Sequence, residues 1–412
     1  MEFNKYRLKE LAKYKNERID TNQLTTSNYI STENLLPNKQ GKQKANKLPS
    51  SKTVKKYTEN DILISNIRPY FKKIWQADNI GGISNDVLNI TSSNEKISND
   101  YLYYYLSQDK FFQYMTQTSK GTKMPRGDKE AIMEFEIQVP KNVEYQNFIR
   151  NLGKLLDNKI KINNEIIENL EELSQTLFKR WFVDFEFPDE NGAPYKANGG
   201  EMIDSELGKI PKGWIVKSLD EIANYINGLA MQKYPSNKEE SLPIVKIKEL
   251  KNGFTDENSN RCTTEIPEKA KIDNGDIIFS WSATLLVKMW AGGKAGLNQH
   301  LFKVTSETFP KWFYYLWTKR YIEYFINIAN DKATTMGHIN RKHLSHAKIV
   351  LPTQLQLENF DKIFHNLLEK QLNTEEEIKR LIELRDTLLP KLMSGEIEIP
   401  DDVEVNTDEL SI

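Results

Sequence analysis

The sequence repeats itself at a nearly constant spacing, and no other feature limits the possible folds as strongly. Glu59-Asn-Asp-Ile-Leu-Ile-Ser65 is answered by Asn274-Gly-Asp-Ile-Ile-Phe-Ser280. Tyr101-Leu-Tyr-Tyr-Tyr-Leu106 is answered by Trp312-Phe-Tyr-Tyr-Leu-Trp317, and Gly121-Thr-Lys-Met124 by Ala333-Thr-Thr-Met336. Each series closes on a strand-like run ending in proline, Ile137-Gln-Val-Pro140 and Ile349-Val-Leu-Pro352, and a long helical stretch follows both times. The offset stays between about 211 and 215 residues throughout. Ordered blocks at one offset indicate an internal duplication, so the chain is expected to hold two similar halves rather than one large domain.

Each half reads as a mixed α/β globular part followed by a helix. Short apolar, β-branched runs such as 61–67 and 276–279 suggest strands. The tyrosine-rich segment 101–115 suggests a helix with its aromatic side chains turned into a core rather than a base-stacking surface. In the first long helical stretch, Ile149, Leu152, Leu156, Lys159, Asn163, Ile166, Leu170, Leu173 and Leu177 fall at alternating spacings of three and four. In the second, Phe360, Phe364, Leu367, Gln371, Thr374, Ile378, Leu381, Arg385, Leu388 and Leu392 do the same. This is the seam of a coiled coil. Both seams turn polar near the middle, at Lys159/Asn163 and Gln371/Thr374, which weakens packing but fixes register and partner. The simplest partner for each helix is the other. Forty residues at 1.5 Å each make a rod of roughly 60 Å. Between them, Pro188-Asp-Glu-Asn-Gly-Ala-Pro-Tyr-Lys-Ala-Asn-Gly-Gly200 reads as a linker.

The 412 residues carry a net charge of -1, which is low for a nucleic-acid binder, but the charge is unevenly spread. Lys39, Lys42, Lys44, Lys47, Lys52, Lys55 and Lys56 lie between Glu33 and Glu59 with no acid among them, and the stretch after Lys391 is acidic. A lysine run of this kind suits a solvated loop as well as a phosphate-facing one. The single cysteine, Cys262, excludes an intrachain disulfide and a cysteine-based zinc finger, and suits a reducing cytoplasm. No run approaches the roughly 18 apolar residues a membrane span needs.

Catalytic signatures are missing. The sequence has no G-x-x-x-x-G-K-[ST] phosphate loop and no G-x-G-x-x-G turn. It also lacks an Asn-Pro-Pro-aromatic motif for holding a flipped base. His343 and His346 stand three apart without an H-E-x-x-H frame, so a surface helix is the expected reading. No bound metal or cofactor is expected on this chain.

Ser205-Glu-Leu-Gly-Lys-Ile-Pro-Lys-Gly-Trp214, followed by Leu219-Asp-Glu-Ile222, resembles the entry to a target recognition domain in specificity subunits of type I restriction-modification systems. Leu173-Ser-Gln-Thr-Leu-Phe-Lys-Arg-Trp-Phe-Val-Asp-Phe-Glu-Phe-Pro188 resembles the end of their first conserved helical region, and Leu384-Arg-Asp-Thr-Leu-Leu-Pro-Lys-Leu-Met-Ser-Gly395 the end of the second. The Glu-Gln pair common at the start of each family helix is replaced here by Glu144-Tyr145 and Gln356-Leu357. The resemblance implies an α+β fold with two target recognition domains, 1–142 and 207–353. Two conserved helices, 143–187 and 354–395, would pair as an antiparallel coiled coil, with a linker at 188–206 and an acidic tail at 396–412. It implies a non-catalytic subunit that reads a split double-stranded DNA site. The helices would dock two modification (methyltransferase) subunits that use S-adenosylmethionine, and restriction subunits would add an ATP-driven motor and nuclease.

Phosphate contacts position a protein on DNA, while base-edge contacts from Arg, Asn and Gln read sequence. In the first half the candidates are Asn66 and Arg68 just after a strand, Lys72 and Lys73, and Lys120, Lys123 and Arg126 in a later loop. In the second half, Ser280, Ser282, Lys288, Lys332, Thr334, Thr335, His338, Arg341 and Lys342 occupy the matching region. Two other function classes fit less of the sequence. One is a coiled-coil assembly scaffold with protein-binding ends; the other is a chain with a fused nuclease or methyltransferase, which the missing cofactor motifs disfavour.

Overall fold

A computed structural model describes residues 2–236, 240–331 and 338–399. The chain separates into two compact units, residues 1–159 with 381–412 and residues 160–380. Each long helix, Val143–Phe182 and Gln354–Ser394, therefore contributes one segment to each unit.

The repeated sequence blocks are repeated turns. In the first unit, Asn60 takes a left-handed conformation (φ 67°) and Asp61 accepts from the Thr58 backbone N–H at 2.8 Å. In the second, Gly275 (φ 83°) and Asp276, accepting from the Asp273 N–H at 2.8 Å, do the same. Asn and Gly are the residues that tolerate this backbone. The turn launches the central strand, Ile62–Ser65 or Ile277–Ser280. An ion pair fixes its base in each unit, Lys15–Asp61 at 2.9 Å with the carboxylate buried and Lys303–Asp276 at 2.9 Å half-buried.

Around that strand the two units build the same sheet. Ile62–Ser65 lies between Ile74–Gln76 and Val87–Ser92, and Ala12–Tyr14 pairs with the far edge of the latter. Ile277–Ser280 lies likewise between Leu286–Met289 and Leu301–Thr305, with Asn224–Asn227 outside. An early strand of each half, Phe3–Arg7 or Ile215–Ser218, runs antiparallel to the last, Glu136–Pro140 or Lys348–Leu351. A second sheet also matches in part. Gly81–Ile83 is flanked by Tyr29–Ile30 (parallel) and Thr53–Tyr57 (antiparallel), and Ala295–Leu297 by Ser241–Val245 (parallel) and Lys271–Ile272 (antiparallel). The fourth strand then sits on opposite edges: Arg18–Asp20 pairs with Thr53–Tyr57, but Arg261–Thr263 pairs with Ser241–Val245. The duplication thus holds in the central sheet and diverges at the rim.

The aromatic segments face inward. Tyr101 and Leu102 in the first unit, and Trp312 and Phe313 in the second, are buried to 1% exposure or less. The segment 101–115 is two helices rather than one, Asn99–Leu106 and Asp109–Gln117. The Ser107 hydroxyl bonds back to the Tyr103 carbonyl at 2.7 Å, and Gln108 is extended (ψ 146°), which ends the first helix. The tyrosine and tryptophan heads reach the long helices: Tyr104 Oη donates to Asp157 at 3.0 Å, and Trp312 Nε1 to Asp361 at 2.7 Å.

Inside each unit the helix segments run antiparallel. In the second, Gln371 Nε2 donates to Glu171 at 3.2 Å, Phe178 meets Phe364 (ring centroids 6.2 Å) and Trp181 meets Phe360 (4.8 Å). In the first, Arg385 Nη1 donates to Asp157 at 2.7 Å, and Ile149 shares a core with Leu389, Leu392 and Met393. The expected polar positions Asn163, Gln371 and Thr374 are buried. Leu173 departs from the expected seam and is 51% exposed. An α-helix turns every 3.6 residues, so a 3.5-residue seam drifts by about 20° per heptad, and by this point the inward face has passed to Phe178, Trp181 and Phe182. Residues 188–206 are also more than a linker. Phe187 stacks between Tyr195 (4.6 Å) and Trp214 (5.0 Å), and Met202–Ser205 forms a hairpin with Gly208–Pro211. The aromatic stack gives this glycine- and proline-rich segment an apolar anchor that its composition conceals. The stretch 400–412 of the expected acidic tail lies outside the described residues.

Candidate nucleic-acid interface

In the first unit, candidate residues about 55 positions apart in sequence come together where the central strand ends. The backbone kinks at Arg68, a non-glycine residue with φ 50°. Three backbone bonds stitch this kink to its neighbours: Asn66 N–H to Asp86 O (2.8 Å), Gly127 N–H to Asn66 O (3.0 Å) and Arg68 N–H to Pro125 O (2.8 Å). Arg126 forms a bridge with Ile67 on one side and with Lys120 on the other, and its guanidinium lies 3.2 Å from Asp86. Thr122, Lys123 and Met124 are left exposed at the tip of the closed loop. Asp128 anchors the loop's base. It caps the helix Lys129–Met133 through the Glu130 N–H (3.0 Å) and takes an ion pair from Lys120 at 2.5 Å. The Lys120 contact holds the Asp128 carboxyl below its usual range, and the same contact raises the lysine. Gly127 leaves room for its neighbours: a Cβ there would stand 2.6 Å from Met115 Cε and 2.7 Å from Asn66 Oδ1, so those side chains would have to shift.

The second unit repeats the arrangement with different side chains. Ala283 takes the kink (φ 56°), Ser282 bridges His338, and Ile339 N–H donates to Trp281 O at 3.1 Å. Ser282 Oγ lies 3.3 Å from His300 Nδ1. The Trp281 ring packs between His300 (5.9 Å), Phe302 (5.8 Å) and His338 (6.4 Å). Its indole N–H is buried without an acceptor. Arg341 Nη2 donates to Tyr225 O at 2.9 Å and its guanidinium lies over the Phe302 ring at 5.9 Å. Lys342 is exposed.

The other candidates are placed differently. Asn66 is buried, with Oδ1 unpartnered, and Arg68 Nε is also buried without a partner. Lys72 pairs with Asp109 at 2.8 Å, and Lys73 donates to Thr32 O at 2.5 Å, with burial lowering its pKa. Ser280 is buried and bonds Ser282 O at 3.3 Å, just as Ser65 bonds Ile67 O at 3.1 Å. Lys288 lies away from the cluster, on Leu286–Met289, where its charge acts on Glu375 of the second long helix. Lys332, Thr334 and Thr335 lie outside the described residues. Of the lysine run, Lys39 is nearly buried between Asp386 (2.7 Å) and Asp109 (3.4 Å), and Lys42 lies over Trp75 at 4.8 Å, whereas Lys44, Lys47 and Lys52 are exposed.

A family model described as the type I restriction modification DNA specificity domain matches residues 1–172 and 211–384, once in each half. The chain belongs to this family. It is 29% identical over 314 residues to the type I restriction enzyme MjaIX specificity subunit of Methanocaldococcus jannaschii, covering 74% of this chain and 70% of that one. It is 25% identical to the HindI specificity subunit of Haemophilus influenzae, over 96% of this chain and the whole of the relative. The fold matches the crystal structure of a type I restriction-modification S subunit from M. genitalium with a TM-score of 0.55 at 15% identity, over 95% of this chain and 96% of that one. The role of the chain as a type I specificity subunit is recognition of DNA sequence. No helix among the described residues is long and apolar enough to cross a membrane.

In this specificity subunit the second-half candidates fall in the matching region, but the positions that answer Asn66 and Arg68 are not among them. The kink aligns Asn66 with Trp281 and Arg68 with Ala283, both at an offset of 215. That offset was available from the Ile62/Ile277 block. Asp86 and His300, which approach the kinks from a third segment in their respective units, were also missed. They belong to no repeated block, so only the sheet brings them there.

Proposed function

We propose that each half of the chain reads one half of a split double-stranded DNA site. The reading surface would be the kink after the central strand, the turn at 84–87 or 298–301, and the loop before the short helix. The supporting observation is that both halves stitch these segments together at matching positions, Ile67–Arg126 and Ser282–His338, while the exposed side chains differ. A shared backbone frame with different side chains suits two domains that read different base pairs. In the first half, Lys120, Lys123 and Arg126 supply positive charge at the loop; in the second, Arg341 and Lys342 stand next to the bridge at His338. Lys72, Lys73 and Asn66 then act by holding the loops, since their side chains are engaged or buried.

The paired helices serve as spacer and as docking surface for two modification subunits, which bind S-adenosylmethionine and methylate adenine. Restriction subunits add ATP-dependent translocation and cleavage. The chain itself contributes no reacting group. Fluorescence anisotropy of the assembled complex on its methylated motif, as a function of salt, tests this. Sequence-specific affinity that falls steeply with salt is expected through counterion release; equal affinity for motif and scrambled duplexes would refute it.

A further inference from the structure

The first half carries a feature that the second does not. Between the two strands of its central hairpin the first half has residues 66–73, whereas the second has only 281–285. The extra residues form a tight helical turn, Pro69–Phe71, bounded on both sides by left-handed non-glycine residues, Arg68 (φ 50°) and Lys72 (φ 51°). Such backbone persists only where its surroundings enforce it, and it collects at functional sites. Here the enforcement is extensive. Phe71 N–H bonds to Arg68 O (3.0 Å) and Lys72 N–H to Pro69 O (2.8 Å). Asn38 N–H bonds to Phe71 O (2.8 Å), Lys39 N–H to Lys72 O (2.9 Å), and the Lys72 ammonium pairs with Asp109.

All this ordering presents one side chain outward. Pro69 is buried, but Tyr70 between the two kinks is 45% exposed, its ring 4.8 Å from that of Phe71. Through the bond from Arg68 N–H to Pro125 O, the turn is tied to the neighbouring loop beside Met124, which is 48% exposed. Two large apolar side chains therefore stand exposed on adjoining loops. The cations of the turn and the adjoining loop are Arg68, Lys72, Lys120, Lys123, Arg126 and Lys129; the acids are Asp86, Asp109, Asp128 and Glu130, with Asp109 paired to Lys72 and Lys39. Asp86 and Asp128 are engaged by Arg126 and Lys120. In the second half the shorter loop offers Ala283 and Thr284 at its tip, and the position matching Met124 lies outside the described residues.

We propose that Tyr70, with Met124 on the adjoining loop, is an apolar wedge that enters between base pairs of the half-site read by the first half and partly unstacks them. The inference rests on the DNA-reading role proposed above. Apolar side chains inserted at a base step and flanked by cations on the phosphates are an established way of unstacking and kinking a duplex. A rigid turn suits this use because the ring is already ordered before it meets the DNA. The second half, lacking the turn, leaves its base pairs stacked.

The assembled complex with its modification subunits is bound to duplexes carrying 2-aminopurine at successive positions of each half-site and its flanks. Wild-type protein is expected to raise fluorescence at one step of the first half-site, apart from the target adenine. Tyr70→Ala should abolish that signal and lower affinity about ten-fold, the scale of one lost base-aromatic stack. Tyr70→Phe should keep both, and Met124→Ala should reduce the signal in part. Fluorescence at the target adenines is expected to be the same in all variants. If Tyr70→Ala binds like wild type with the same fluorescence map, or if no non-target step brightens, the wedge is refuted while the DNA-reading role stands. If the wild-type complex shows no preference for its motif, the DNA-reading role itself fails.

Discussion

Arg385 locks the two long helices together in the first unit, and its removal gives a sharp stability prediction. The guanidinium is 11% exposed and bonds Asp157 at 2.7 Å and Asp386 at 3.0 Å; Asp157 also accepts from Tyr104 Oη. Breaking a buried pair by removing one partner costs about 3–5 kcal/mol, because the other charge is left desolvated. Asp157 is 28% exposed, so water recovers part of that loss, and Arg385→Ala should cost about 2–3 kcal/mol. Removing both charges together, as Arg385→Met with Asp157→Asn, should cost much less than either single change implies, since no unpaired charge remains. The amide oxygen introduced at position 157 would still accept from Tyr104. Hydrogen exchange of helix peptides 143–159 and 381–394 is the suitable assay, since a two-unit chain need not unfold in one step. A loss of 2 kcal/mol corresponds to about thirty-fold faster exchange through opening. Acceleration of less than about two-fold in Arg385→Ala, or a double variant as damaged as the sum of the singles, would show that the pair does not hold this crossing.

Three further outcomes are expected. Removing Lys120 and Lys123 together should flatten the slope of log affinity against log salt by about one to two, read by anisotropy; an unchanged slope places both away from phosphate. Gly127→Ala should destabilise the first unit by about 1–3 kcal/mol through the clash with Met115 and Asn66 and weaken DNA binding by shifting the 120–126 loop; wild-type melting and affinity would contradict the packing. Glu375 is held above its usual carboxylate range mainly by burial, despite the bond from Gln371. Its folded-state pKa exceeds the unfolded one, so the folded state binds the extra proton and stability falls as pH rises through that window. Glu375→Gln should therefore stabilise the second unit at neutral pH, with the gain fading below the ordinary carboxylate range; denaturant midpoints at pH 4 and 7 check the sign.

The duplication was legible because its blocks are turn and core signals. Asn60-Asp61 and Gly275-Asp276 repeat since the same left-handed turn is needed twice, and the aromatic helices repeat since each fills the core beside a long helix. The proposed reading surface was less legible. Charge alone points to the loop residues Arg68, Lys120 and Arg126, but Asp86 and His300 reach the kinks only through strand pairing. Trp281, which answers Asn66, shares no residue type with it and lies between the candidates Ser280 and Ser282. Lys39 belongs to the lysine run and Lys72 follows the central strand, yet Lys39 pairs with Asp386 and Asp109, and Lys72 with Asp109, all over thirty positions away in sequence. Long-range ion pairs of this kind leave no local pattern.

On the proposed reading, each half of the chain reads its own part of the DNA site. Replacing residues 207–353 with the corresponding domain of a relative of known specificity, then mapping methylated adenines across a host genome, tests it directly once assembly with the modification subunits has been verified. Base contacts are local and their energies add nearly independently at separated positions. The expected motif has one new half, while the other half and the spacer between them are unchanged. A motif altered in both halves, or one that proves continuous rather than split, would contradict it.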